Sequence, residues 1–173
     1  MDTIPSSLIS MIFDNLSLRD CLYTSYVSHS WNKSVRSYLR ERYSLSRYLS
    51  CFPHPKDLLE VFRKTKTVLA GSRAMSFFLP SQRIYTANSD WDVFAPYPHQ
   101  QIMHDQLLAQ GFFNIERIKQ SHHPDRFKVY DFINANGDKV QLIALTQEWN
   151  LFECIMNFHK STVQNFIAGS GAF

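Results

Sequence analysis

Two carboxylates stand two residues apart at Asp90 and Asp92, and a Gly71-Ser72 pair precedes them in the chain. Alternate residues of a strand point to one face, so an extended Asp90-Trp91-Asp92 presents both acids together while Trp91 and Val93 face the other way. A Gly-Ser at the mouth of a helix leaves the backbone N–H groups of its first turn open to an anion such as a phosphate. Paired hard-oxygen ligands and a phosphate cradle belong to one chemistry, the handling of a phosphorylated ligand with Mg²⁺. The elements needed to position them are legible. Val68 and Leu69 form a short apolar run that ends at Gly71-Ser72, Ala74 to Leu79 read as a helix, and a second short strand carries the acids.

Strand, tight turn, helix, then a strand with Asp-x-Asp resembles the signature of the polymerase-beta-type nucleotidyltransferase superfamily, through Gly71, Ser72, Asp90 and Asp92. The resemblance implies Asp90 and Asp92 as ligands of Mg²⁺ and Gly71-Ser72 as the holder of a nucleoside triphosphate. In active members a third carboxylate sits on a later strand. The strand that looks equivalent here, Asp138 to Leu145, offers Gln141 instead. A glutamine brings no negative charge to a second metal, so the two-metal clamp is incomplete unless Asp131 or Asp138 substitutes. Arg73 stands where it could neutralise a phosphate and equally where a surface residue would stand.

The chain of 173 residues holds one ordinary domain, or a small module joined to a compact one. Hydrophobic residues at 45% and charged residues at 19% give enough apolar material for a real core. No apolar run reaches a membrane span, and the opening Met1 to Ser10 lacks the basic start and apolar stretch of a secretory signal. Three scattered cysteines, Cys21, Cys51 and Cys154, fit a reducing compartment, cytoplasm or nucleus, better than a disulfide framework or zinc site. None of the seven histidines has metal-ligand spacing to a second His or Cys. His122-His123 read as loop and His159 as part of a late helix. The net charge of +3 is uneven, with ten basic and six acidic residues before position 67. That balance does not demand nucleic acid. Arg36, Arg40, Arg42 and Arg47 interleave with Tyr38, Tyr43 and Tyr48 in a pattern that a nucleic-acid groove also uses, but it reads more simply as a solvated helix face.

The first 50 residues have their own logic. Pro5 suits a first helical turn, and Leu8, Ile9, Ile12, Phe13 and Leu16 recur at helical spacing. Ser17 is placed to cap a second helix with Asp20 near its positive end, and Val27, Trp31, Val35 and Leu39 share one face of a third. Three short helices bury little alone, which predicts apolar side chains left for a partner. The order Ile4-Pro5, Leu8, Ile12, Phe13, Leu16, Leu18, Asp20, Leu22, Val27-Ser28 and Trp31 resembles an F-box over residues 3 to 45. Ile4 and Cys21 are its conservative departures. The resemblance implies that Ile4, Pro5, Leu8, Ile12, Phe13, Leu16, Leu22, Val27 and Trp31 engage the Skp-type linker subunit of a cullin-RING ubiquitin ligase, and that the module C-terminal to the F-box selects a target protein.

The expected fold is α+β: a three-helix F-box module over 1–50, a linker at 51–56, and a nucleotidyltransferase-like mixed sheet with flanking helices over 57–173. From Asp57 the pattern runs helix, strand, helix, strand, then a helix near His99 to Gln110 closed by Gly111. Phe112 to Gln120 reads as a strand, and Arg126 to Leu145 as a hairpin turning at Asn136-Gly137. Asn150 to Ile167 reads as helical, and the closing Ala168 to Phe173 as an end with little beyond it, as a truncated gene model would leave. Three functions remain open at this point. The chain is an adaptor on a retired enzyme fold, an active Mg-dependent nucleotidyltransferase acting on an unknown acceptor, or a pseudoenzyme with no ligase partner. Gln141 stands against the enzyme, and the intact Asp-x-Asp stands against the pure adaptor.

Overall fold

The computed structural model describes residues 5–79, 88–115, 125–157 and 164–173. Ile4, His122-His123 and His159 lie outside them, as do residues 116–120 of the expected strand. The chain divides into two compact units, Met1–Arg47 and Tyr48–Phe173.

The first unit is helical. Helix α1 (Ser6–Asp14) begins after Pro5, whose carbonyl accepts from the Leu8 and Ile9 amides. Helix α2 (Leu18–Ser25) begins where the Ser17 hydroxyl accepts from the Asp20 amide at 3.1 Å. Ser28 caps α3 (His29–Arg42) in the same way through the Trp31 amide. Each such cap contributes on the order of 1 kcal/mol, enough to fix where short helices start. Phe13, Cys21 and Val35, one from each helix, form the buried centre, with Ile9, Trp31, Tyr38 and Leu39 packed around it. The Phe13 ring meets Trp31 at 5.8 Å and Tyr38 at 5.1 Å. The Tyr38 hydroxyl donates to Asp14, tying α3 to the end of α1. A single turn, α4 (Leu45–Tyr48), leads out of this unit.

The second unit is a mixed sheet with helices. Helix α5 (Pro55–Thr65) buries Leu58, Phe62 and Thr65 and reverses at Lys66, a left-handed cap at φ 58°. Strand β1 (Val68–Ala70) is wholly buried and passes directly into α6 (Gly71–Phe78). Then come β2 (Trp91–Ala95), α7 (Gln100–Ala109), β3 (Phe112–Ile115), β4 (Phe127–Asn134), β5 (Lys139–Leu145), the short α8 (Leu151–Met156), β6 (Phe166–Ala168) and β7 (Gly171–Ala172). Among the described residues seven strands make one sheet in the order β3-β4-β5-β2-β1-β6-β7. β2 and β5 run parallel, and the other neighbours are antiparallel. The β4–β5 hairpin turns at Asn136-Gly137, where the Asn134 side chain accepts from the Asn136 and Asp138 amides.

The C-terminal reading is corrected. Phe166 and Ile167 are strand, not helix, and Gly171-Ala172 pairs back on Ala168 and Ile167. The Phe166 and Phe173 rings stack at 5.2 Å while their backbones exchange two hydrogen bonds. This hairpin joins the sheet through β1, with Leu69 opposite Ile167. Gly169 fits only because it has no side chain, since a Cβ there would strike the Leu59 carbonyl and the Arg63 amide of α5.

Candidate functional site

Asp92 lies on β2 between two neighbours, opposite Ala70 of β1 and Gln141 of β5. Gln141 in turn stands opposite Asp131 of β4. Residues paired across a sheet share a face, so Asp92, Gln141 and Asp131 form one row. The same face carries Phe94 and Ile143 two residues further on, part of a core with Val68, Ala70, Leu145, Cys154 and Ile155. An acid at the rim of an apolar cluster loses hydration, and burial with the nearby Asp90 charge pushes the Asp92 carboxyl up to about 7. Asp92 also abuts Gly71, the first residue of α6, where the helix dipole favours an anion by about 0.3–1 kcal/mol. Desolvation wins: a carboxyl raised from 3.8 to about 7 corresponds to roughly 4 kcal/mol against ionisation.

Gly71 is required here on two grounds. Its φ is +77°, a region that L side chains rarely adopt, and a Cβ would collide with Asp92 Oδ2. The turn and the acid are therefore built against each other. No side chain caps the start of α6, which leaves first-turn amides for another acceptor.

Asp90 is not on the strand, whose ladder begins at Trp91. The expected alternation of two acids along one strand therefore holds for Asp92 alone. Asp90 instead borders a cavity of about 120 Å³ that Asp131, Gln141, Lys139 and Ile115 also line. Gln141 donates Nε2 to Asp131 Oδ1 at 3.1 Å. The amide that occupies the place expected for a third acid is thus engaged with the acid one strand further over. Asp138 is drawn into the hairpin turn, where its carboxylate accepts from Asn134 Nδ2 at 2.9 Å. Among the described residues no three His, Cys, Asp or Glu side chains come together at metal-binding distance. Arg73 is committed as well, with Nε donating to the Ser89 carbonyl at 2.9 Å and its guanidinium 4.6 Å from the Trp91 ring centre. The three cysteines are free thiols, and burial pushes Cys51 up to about 12, far from a nucleophile.

The helical unit presents a second candidate surface. Leu8, Met11 and Ile12 are exposed along one side of α1, and Leu18 and Leu22 are exposed one turn apart on α2. Leu16, Tyr23, Tyr26 at 81% and Val27 at 71% continue the exposed apolar set. Of the expected partner contacts, Pro5, Leu8, Ile12, Leu16, Leu22 and Val27 face solvent. Phe13 does not: it is fully buried between Trp31 and Tyr38 and holds the three helices together. Trp31 is partly buried against the same centre. Met11, Tyr23 and Tyr26 were missed. Met11 had a signal, three residues past Leu8 on the same face; the tyrosines had none, since their type suits core and surface alike.

Residues 1–43 match the family model of the F-box domain. The N-terminal unit thus carries an F-box domain, and the nine exposed apolar side chains lie within the matched span. No curated protein and no solved structure matches the chain. Among the described residues no helix is long and apolar enough to cross a membrane.

Proposed function

We propose that this chain is an F-box adaptor: its first 43 residues dock on the Skp-type linker subunit of a cullin-RING ubiquitin ligase inside the cell, and the second unit recognises a target. F-box domains bind such linkers. The observation that carries the reading is the division of apolar residues in a small helical unit. Phe13, Cys21 and Val35 suffice to close its centre, while Leu8, Met11, Ile12, Leu18, Leu22, Tyr26 and Val27 stay in water. Clustered apolar exposure of that kind marks a protein interface. Co-purification of the full chain with recombinant linker tests it. Wild type carries the linker through a sizing column, and a Leu22→Asp, Val27→Asp variant does not. Equal recovery with both proteins would end the adaptor reading.

For the second unit we infer a nucleotidyltransferase-like fold that has lost transfer. Its support is the path β1–Gly71–α6–β2, with Asp92 packed on Gly71 and Gln141 in register beside Asp92. The donors available, two carboxylates two residues apart, suit one divalent cation in type. Asp90 and Asp92 would hold it, and its charge would offset the desolvation that resists ionisation of Asp92. The same donors do not fit the pair of cations that in-line transfer uses, because Gln141 brings no charge and donates to Asp131. When bound, the cation supplies charge neutralisation for a ligand phosphate, while the first-turn amides of α6 donate to that ligand. The intact Asp90 and Asp92 favour a second reading, an active nucleotidyltransferase moving a nucleoside monophosphate. Nucleotide titration with Mg²⁺ and an incorporation assay separate the two: binding without incorporation supports the retired fold.

A further inference from the structure

Asp90 stands one residue outside β2, so the sheet ladder does not hold it. Both of its chain neighbours are nonetheless gripped by a single side chain. Arg73 Nε donates to the carbonyl of Ser89 at 2.9 Å, and the Arg73 guanidinium lies over the ring of Trp91 at 4.6 Å. The grip has its own support. The Trp91 ring is buried and met edge-on by Tyr48 at 5.6 Å and Phe52 at 5.5 Å. The Tyr48 hydroxyl donates to the Arg73 carbonyl, and Ser76 Oγ donates to the same oxygen at 2.8 Å, which fixes the first turn of α6 from which Arg73 projects.

We propose that Arg73 is a positioning residue for Asp90: by holding the chain on both sides of it, Arg73 sets that carboxylate at the rim of the cavity it shares with Asp131 and Gln141, where it would act with Asp92, two residues on, on one cation. The proposal rests on the reading of Asp90 and Asp92 as cation ligands. It removes Arg73 from the set of groups available to a phosphate. Groups that orient ligands typically change metal affinity by about 10–100-fold when lost.

Charge alone predicts the opposite sign. A guanidinium near two carboxylates repels an incoming cation, so deleting it as a mere charge tightens binding. The test is Mn²⁺ titration of the full chain, read by water-proton relaxation, with thermal melting alongside. Wild type binds one Mn²⁺, and Asp92→Asn loses it. Arg73→Met is expected to weaken Mn²⁺ binding about tenfold at temperatures where the variant remains folded. Arg73→Lys keeps the charge and the stack but cannot reach Ser89 in the same geometry, and is expected to weaken binding to a similar degree. Unchanged or tighter binding by both variants would overturn the positioning role while leaving the cation site intact. If wild type fails to bind Mn²⁺, the cation reading falls first and the role of Arg73 with it. Should Arg73→Met not fold, Arg73→Lys carries the comparison.

Discussion

Asp92 sits where its ionisation costs stability, and that cost can be measured. In the unfolded chain its carboxyl titrates near 3.8, whereas in the folded chain burial and the Asp90 charge hold it at about 7. Between those values the unfolded chain has released a proton that the folded chain retains. The contribution of this group to stability is therefore fully present below about 4 and falls as pH rises to about 7. Asp92→Asn should stabilise the protein above pH 7 by up to about 4 kcal/mol, less whatever the buried amide itself costs, and flatten its stability profile between pH 4 and 7. Denaturant melts at pH 5 and pH 8 check this, and equal pH dependence in both proteins would refute it. Stabilisation on loss of the carboxylate would support the proposed binding role of Asp92. At this scale the sequence was informative about identity and poor about partners. Gly71 and Asp92 stand out by type, but that one packs on the other is a consequence of β1 and β2 pairing antiparallel with Ala70 opposite Asp92. The bond from Gln141 to Asp131 likewise depends on cross-strand register, which ten residues of sequence separation do not reveal.

Elements were legible where a local signal sets their ends. Ser17 accepts from an amide three residues on, so the start of α2 can be read from a short polar residue ahead of apolar periodicity. Ser28 caps α3 in the same way, but the apolar spacing begins that helix at Val27, which the structure leaves outside it. Asn136-Gly137 is the local signal of the β4–β5 turn. The last hairpin had no such signal. Phe166 to Ala168 is three residues long, too short to show alternation, and its neighbour Gly171-Ala172 is shorter still. What fixes it is a contact distant in sequence, Gly169 against the backbone of α5. Gly169→Ala should therefore lower stability by about 1–3 kcal/mol, the usual cost of overpacking against atoms that cannot move aside. A chemical-denaturation midpoint equal to wild type would show that α5 yields at this point. Orientation within the three-helix unit was hidden too, because apolar spacing on α1 does not say which side meets the partner. Phe13 faces inward and Ile12 outward. Phe13→Ala should cost about 3–5 kcal/mol and unfold the helical unit, seen as loss of its helical circular dichroism, whereas Ile12→Ala should leave folding nearly unchanged.

At the scale of the whole chain, the two units differ in how they use their apolar residues and not in charge: residues 1–47 carry six basic and four acidic side chains, and residues 48–173 twelve and eleven. The first unit closes a small centre around Phe13 and, among its described residues, leaves nine large apolar side chains in water, and the second closes a core of long aliphatic and aromatic residues, among them Leu58, Phe62, Phe112, Phe132 and Leu142. An adaptor is organised this way, with a small docking unit whose apolar surface is completed by a partner and a larger unit stable enough to present a recognition site. The F-box order was readable because it depends on residue types at fixed positions, from Pro5 to Trp31. The candidate site of the second unit was only half readable, since Asp92, Gln141 and Asp131 are set side by side by a sheet whose strand order departs from chain order.

The most direct measurement is a calorimetric titration of the full chain with the Skp-type linker, comparing wild type with Leu22→Asp, Val27→Asp and with Phe113→Asp as an exposed apolar control in the second unit. All three proteins should melt alike. The adaptor account predicts saturable binding by wild type and Phe113→Asp and a loss of at least about 100-fold for the double variant, the effect of removing central apolar contacts from an interface. Equal affinity across all three, or no binding by wild type, would contradict it.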